Sequence, residues 1–203
     1  MYQLNWGAIR AAQAARTMHR PDNIGAVVTL LIFYKNLHDH FLYGKPKMDG
    51  IMNWFGKIQN GKWPGLTEQI INKTNDANGM DPNMYHDYMH RVVKIVERDD
   101  TYKRILGRPP VRKSEDKKRY LEAAEVTYKL TSFILCTKFK FNKRKLNLLQ
   151  AHVKNDMWAL IEGNCKLTEF FWMLHTECRL EFGALDGWMK RYGKIYGEDG
   201  MPI

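Results

Sequence analysis

Runs of apolar residues at three- and four-residue spacing, separated by short polar or glycine-rich breaks, predict helix along almost the whole chain. Leu4, Ala8, Ile9, Ala11, Ala12 and Ala15 form one stripe, which the pattern ends near Arg20-Pro21. Asp22 is placed to cap a second helix over about 23–42. Its run through Val27, Val28, Leu30, Leu31, Ile32 and Phe33 is nearly continuous, which marks a central, buried helix. Gly44 and Pro46 are expected to break it, and a third helix is expected from about Met48 to Gln59, stopping at Asn60-Gly61. Thr67 is expected to cap a short helix, and residues 75–83 read as a loop. Asp81-Pro82 opens a helix carrying Met84, Tyr88, Val92, Ile95 and Val96. Ser114 with Glu115 and Asp116 opens a long helix over about 115–137. Asn142 caps the next, which ends at Glu162-Gly163-Asn164, and Thr168 is expected to cap another that ends near Phe182-Gly183. A short aromatic segment, Leu185 to Tyr196, follows.

Part of this pattern occurs twice. Across a shift of 98, residues 26–48 and 124–146 share Ala26/Ala124, Val28/Val126, Thr29/Thr127, Leu37/Leu135, Phe41/Phe139, Lys45/Lys143 and Lys47/Lys145. Further on, Leu66-Thr67-Glu68 meets Leu167-Thr168-Glu169. The expected fold is therefore all-α, with two similar helical lobes from an internal duplication: 1–106, a Gly/Pro/Arg-rich linker at 107–114, and 115–203.

Composition sharpens the reading in one direction. The 203 residues are 44% hydrophobic and 27% charged, ordinary for a globular chain, but the net charge is +10. A clustered basic excess points to nucleic acid, a nucleoprotein complex or an acidic protein surface. Cys136, Cys165 and Cys178 form no metal or redox spacing and read as thiols in a reducing compartment. No 18-residue apolar run is present, so no membrane partner is expected, and the basic amphipathic N-terminus reads as a structural helix rather than a signal peptide.

The basic residues fall into groups. Arg108, Arg112 and Lys113 stand at the linker with Lys103, Arg104, Lys117, Lys118 and Arg119 around them, and Lys138, Lys140, Lys143, Arg144 and Lys145 have no acid among them. Lys45 and Lys47 hold the matching place in the first copy. In each copy the lysines follow an aromatic-x-aromatic turn, Phe41/Tyr43 or Phe139/Phe141, that anchors in the core while the amines stay in water near a helix N-terminus. The linker group and the group at 138–145 flank one long helix of about 20 residues, so they are expected ~30 Å apart at its opposite ends.

This turn resembles one found in small uncharacterised phage and prophage proteins, which runs aromatic-Gly-aromatic-Gly-Lys-Lys-Arg-Leu, then a helix ending in Glu-Gly, then a Thr-capped helix. The second copy matches at Phe139, Phe141, Lys143, Arg144, Leu146, Glu162, Gly163 and Thr168; the first matches at Phe41, Tyr43, Gly44, Lys45, Lys47 and Met48. The pattern's glycines become Lys140 and Asn142 in one copy, and the first of them becomes Leu42 in the other. The resemblance implies a phage origin and action in the cytoplasm of an infected bacterium. It carries no activity and no cofactor. The leading expectation is a non-enzymatic binding protein acting on a host nucleoprotein complex, such as an anti-CRISPR-like inhibitor of antiviral defence. A phage DNA- or RNA-binding accessory protein is the alternative.

His86-Asp87-x-x-His90 is the most enzyme-like string, with two histidines one helical turn apart. It resembles the opening segment of HD-type metal phosphohydrolases. That family also needs a later His-Asp pair, and no His-Asp follows residue 90, so a solvated histidine face is expected, with a divergent metal phosphohydrolase using His86, Asp87 and His90 as the third reading. His38-Asp39-His40 lies upstream, in the wrong order for that family.

Overall fold

The computed structural model describes residues 21–98 and 113–180, and among them every regular element is a helix. These are α1 (Pro21–Phe41), α2 (Lys45–Gln59), α3 (Glu68–Ala77), α4 (Pro82–Arg98), α5 (Ser114–Lys138), α6 (Lys143–Glu162) and α7 (Leu167–Thr176). The stripe at 4–15, Arg108 and Arg112 in the linker, and the aromatic segment from Leu185 lie outside the described residues.

Side-by-side packing of α1 and α5 dominates the fold. Gly25 lies against Tyr120, Thr29 against Ala124 and Phe33 against Tyr128, a constant offset of 95, so the two helices run parallel. Small residues allow the approach. A Cβ at Gly25 would run into the Tyr120 carbonyl oxygen, and Ala26, Ala123 and Ala124 are buried at the same crossing. Buried hydroxyls bond back one turn, among them Thr29 to the Gly25 carbonyl at 2.8 Å and Thr127 to the Ala123 carbonyl at 2.7 Å. Thr29 also accepts from the Tyr85 hydroxyl at 2.7 Å, and Tyr85 stacks on Tyr128 at 4.1 Å, which seats α4 on α5. The near-continuous apolar run of α1 is explained by this position: Val28, Ile32 and Leu37 are fully covered.

Each long helix turns back into a shorter one. α2 packs on α5 and α6 packs on α1, so neighbours are exchanged between the halves. Lys35 bridges Asp39 and Asp156 at 3.0 Å each, and Asn36 donates to Asp156 at 2.8 Å, tying α6 to α1. The buried residues of 21–98 and 113–180 form one cluster.

Some local expectations change. Pro46 does not end a helix; it stands in the first turn of α2, where its missing N–H is no loss. α3 runs to Ala77, so the expected loop at 75–83 shortens to the segment around Gly79. Thr67 and Asn142 cap as expected, accepting from the Ile70 and Lys145 amides. Thr168 does not: Lys166 is the N-cap of α7, and Thr168 lies buried in the first turn with its hydroxyl unbonded. α7 ends at Thr176, because Arg179 takes a left-handed conformation three residues later.

Three helices end in the same unusual cap. The amides of Tyr43, Phe141 and Leu180 reach back to the carbonyls of Leu37, Leu135 and Leu174 at 3.0–3.1 Å. The residue before each, Leu42, Lys140 or Arg179, has φ of 55°, 56° or 53°. Glycine normally fills such a place, as at Gly61, Gly79 and Gly163, and a side chain there costs roughly 1–2 kcal/mol. Two of the three caps fall at positions 98 apart, and so do the back-bonded hydroxyls of Thr29 and Thr127.

A basic end built from two turns

The parallel run of α1 and α5 brings their C-terminal turns together. Phe41 meets Phe141 with ring centroids 5.0 Å apart, and Tyr43 meets Phe139 at 5.9 Å and Phe141 at 6.1 Å. Tyr43 and Phe141 are buried, while Phe41 and Phe139 pack partly covered against the core. This shared aromatic knot fixes both turns, and the lysines that follow each one emerge at one end of the bundle.

Seven of the ten expected basic positions are brought to that end: Lys45 and Lys47 from the first turn, and Lys138, Lys140, Lys143, Arg144 and Lys145 from the second. Lys47, Lys140, Lys143, Arg144 and Lys145 are exposed, and Lys45 is half-buried with its amine 3.9 Å from Asp49. Neither α2 nor α6 carries an acid in its first turn. Equivalent lysines take equivalent poses, Lys47 over the Tyr43 ring at 4.5 Å and Lys145 over Phe141 at 5.9 Å. Lys138 is held differently. Its ammonium lies 4.2 Å from the ring centres of both Trp54 and Trp63, and Lys57 also lies over the Trp54 ring at 4.0 Å. Lys113 is not part of this end. It is the N-cap residue of α5, a helix of 25 residues, so it stands about 38 Å from Lys138 at 1.5 Å per residue.

Two features of this end were not foreseen. α7 runs parallel to α1, since Lys35 sits over Phe170 at 5.1 Å and His38 meets Glu177 at 3.0 Å. The exposed Arg179 therefore follows at the same end. The recurrence of leucine and, six residues on, an apolar residue (Leu37/Tyr43, Leu135/Phe141, Leu174/Leu180) is the signal that marks it. The second feature is the His38 tie. Its Nδ1 contacts the Tyr43 carbonyl at 3.1 Å and its Nε2 contacts Glu177, so one imidazole links the first turn to the end of α7. Partial burial opposes the charged ring, but the bonds to Glu177 and Tyr43, with the charges of Glu177 and Asp39, prevail and raise its pKa.

The histidine string at 86–90 forms no comparable constellation. His86 is 3.7 Å from Glu125 across to α5, while Asp87 and His90 are exposed on α4. Among the described residues no three histidine, cysteine or carboxylate groups are arranged to hold a metal ion. His40, one turn before the first cap, stacks on His152 of α6 at 3.5 Å. Burial and then the neighbouring His40 lower the His152 pKa, with Lys35 adding to the effect and Asp156 opposing it. No helix among the described residues is long and apolar enough to cross a membrane. Comparison with protein-family models, curated proteins and solved structures finds no match for this chain.

Proposed function

We propose that this chain is a binding protein whose two-turn end docks a polyanion, the phosphate backbone of a nucleic acid, bare or within a nucleoprotein complex. The supporting observation is where the cations sit. The first turns of α2 and α6 carry Lys45, Lys47, Lys143, Arg144 and Lys145, and no acid. The positive end of a helix dipole favours acids, so cations concentrated there work against local stability. Phosphates would relieve that repulsion and accept from the exposed amines at once. The repeated caps support an internal duplication that has brought two copies of the turn side by side. The likeness of the turn to phage proteins supports action in an infected bacterium, with a host defence nucleoprotein as the target.

The test is fluorescence anisotropy of a labelled 20-base-pair DNA and the matching RNA duplex against salt. Wild type is expected to bind with an affinity that falls steeply with salt. The K143A/R144A/K145A variant is expected to lose about three units of the log–log salt slope, near 0.9 per phosphate contact. Absence of binding at low salt, or an unchanged slope in the variant, overturns the reading.

A further inference from the structure

Phosphate binding does not explain Leu42. It stands at the tip of the first turn with 83% of its surface exposed, far more than any other large apolar side chain among the described residues. It also holds a left-handed backbone, with φ of 55°. Lys140 takes the same backbone in the second turn but supplies a cation, whereas Leu42 offers only apolar surface. The tip is firmly held. The Leu42 amide donates to the His38 carbonyl at 3.1 Å, the Tyr43 amide to the Leu37 carbonyl at 3.0 Å, and the Tyr43 ring is locked in the aromatic knot. Lys45 and Lys47 follow it three and five residues on, and Lys140 tips the neighbouring turn.

A rigid apolar projection among exposed cations matches how architectural proteins insert a leucine or phenylalanine between stacked base pairs while amines hold the flanking phosphates. An apolar pocket on an acidic protein would also receive a leucine. Lysine is depleted at protein–protein interfaces, however, and the two turns at this end carry Lys45, Lys47 and Lys140. We infer that Leu42 is a wedge that enters a base step of a nucleic-acid duplex, with Lys45, Lys47 and Lys140 gripping the phosphates on either side. This rests on the polyanion reading above.

The test uses the full chain with a 20-base-pair DNA carrying 2-aminopurine beside a central TA step and a donor–acceptor dye pair at its ends. Wild type is expected to raise the 2-aminopurine fluorescence severalfold and to increase energy transfer through bending. Leu42→Ala should keep the salt slope and bind within about tenfold of wild type, yet lose the fluorescence rise, whereas Leu42→Phe should retain it. Circular dichroism melts confirm that the variants fold. Salt-dependent binding without a rise, or a rise that Leu42→Ala retains, overturns the wedge and leaves the phosphate surface standing. No duplex binding at low salt overturns both. Binding of an acidic protein that Leu42→Ala abolishes, with no optical response from the duplex, assigns the leucine to a protein pocket and overturns the wedge.

Discussion

The turn at 42–44 and the turn at 140–142 share a left-handed residue, a reach-back bond to a leucine carbonyl and a buried aromatic, yet almost every group they show to solvent differs. Leu42 faces Lys140 across the pair, and Gly44 starts α2 with no side-chain bond where Asn142 caps α6. One turn back, His40 stacks on His152, while the positions 98 away hold Lys138 on Trp54. The comparison separates what the backbone requires from what the surface is free to vary. A buried leucine and a buried aromatic six residues apart close the cap; the tip residue is not needed for packing. Its identity is therefore available for function, and the two tips have taken apolar and cationic roles.

The helix crossing is the strongest place to break the equivalence. Gly25 and Ala123 are 98 apart, but a Cβ fits only at the second. Gly25→Ala is expected to destabilise by about 3 kcal/mol in urea denaturation, because the clash is with backbone that cannot swing away. Ala123→Gly should cost only about 1 kcal/mol through helix propensity. Equal effects at the two sites would mean that the helices slide apart freely.

At the N-caps, Asn142→Ala should cost about 1 kcal/mol, whereas Gly44→Asn should gain a few tenths by supplying the missing acceptor. A Cβ at Gly44 meets nothing closer than 3.9 Å, so space does not oppose the gain. At the tips, Lys140→Gly and Leu42→Gly should each stabilise by up to about 1 kcal/mol through release of left-handed strain. Thermal melts decide it. A loss of stability at Leu42 alone would show that its side chain supports the fold and is not a free contact.

The two histidine sites should respond oppositely to pH, the smallest effect. His38 has a raised pKa, so its tie to Glu177 contributes fully below the ordinary histidine value and is lost as pH rises through the raised one. His152 has a lowered pKa, so its contribution is present above the ordinary value and is lost as pH falls below it. Melting temperatures of Glu177→Gln and His152→Gln, followed from pH 5 to pH 8, should diverge from wild type at opposite ends of that range.

Much of the architecture was legible because its causes are short-range. Asn142 and Thr67 cap where the residue type permits, Gly163 ends α6 in a left-handed turn, and the covered run of α1 announced a central helix. The aromatics of both turns were recognisable as anchors, and Lys47 and Lys143 to Lys145 as solvent-facing, from spacing alone, while Lys45 is half-buried beside Asp49. The errors have physical causes as well. Thr168 has the residue type of a cap, but burial of the first turn of α7 claimed it, and Pro46 is a breaker only in a helix interior.

What no local pattern contains is the offset of 95 between α1 and α5. That register follows from which small residues let two backbones touch, and it places Phe41 on Phe141 and joins two separate lysine turns into one surface. The same packing puts Lys138 against two tryptophans, strands Lys113 at the far end of a 25-residue helix, and leaves Leu42 in water. Capping and periodicity act within a turn or two of helix. The meeting of residues a hundred positions apart depends on how whole faces are buried, and that is a property of the packed chain.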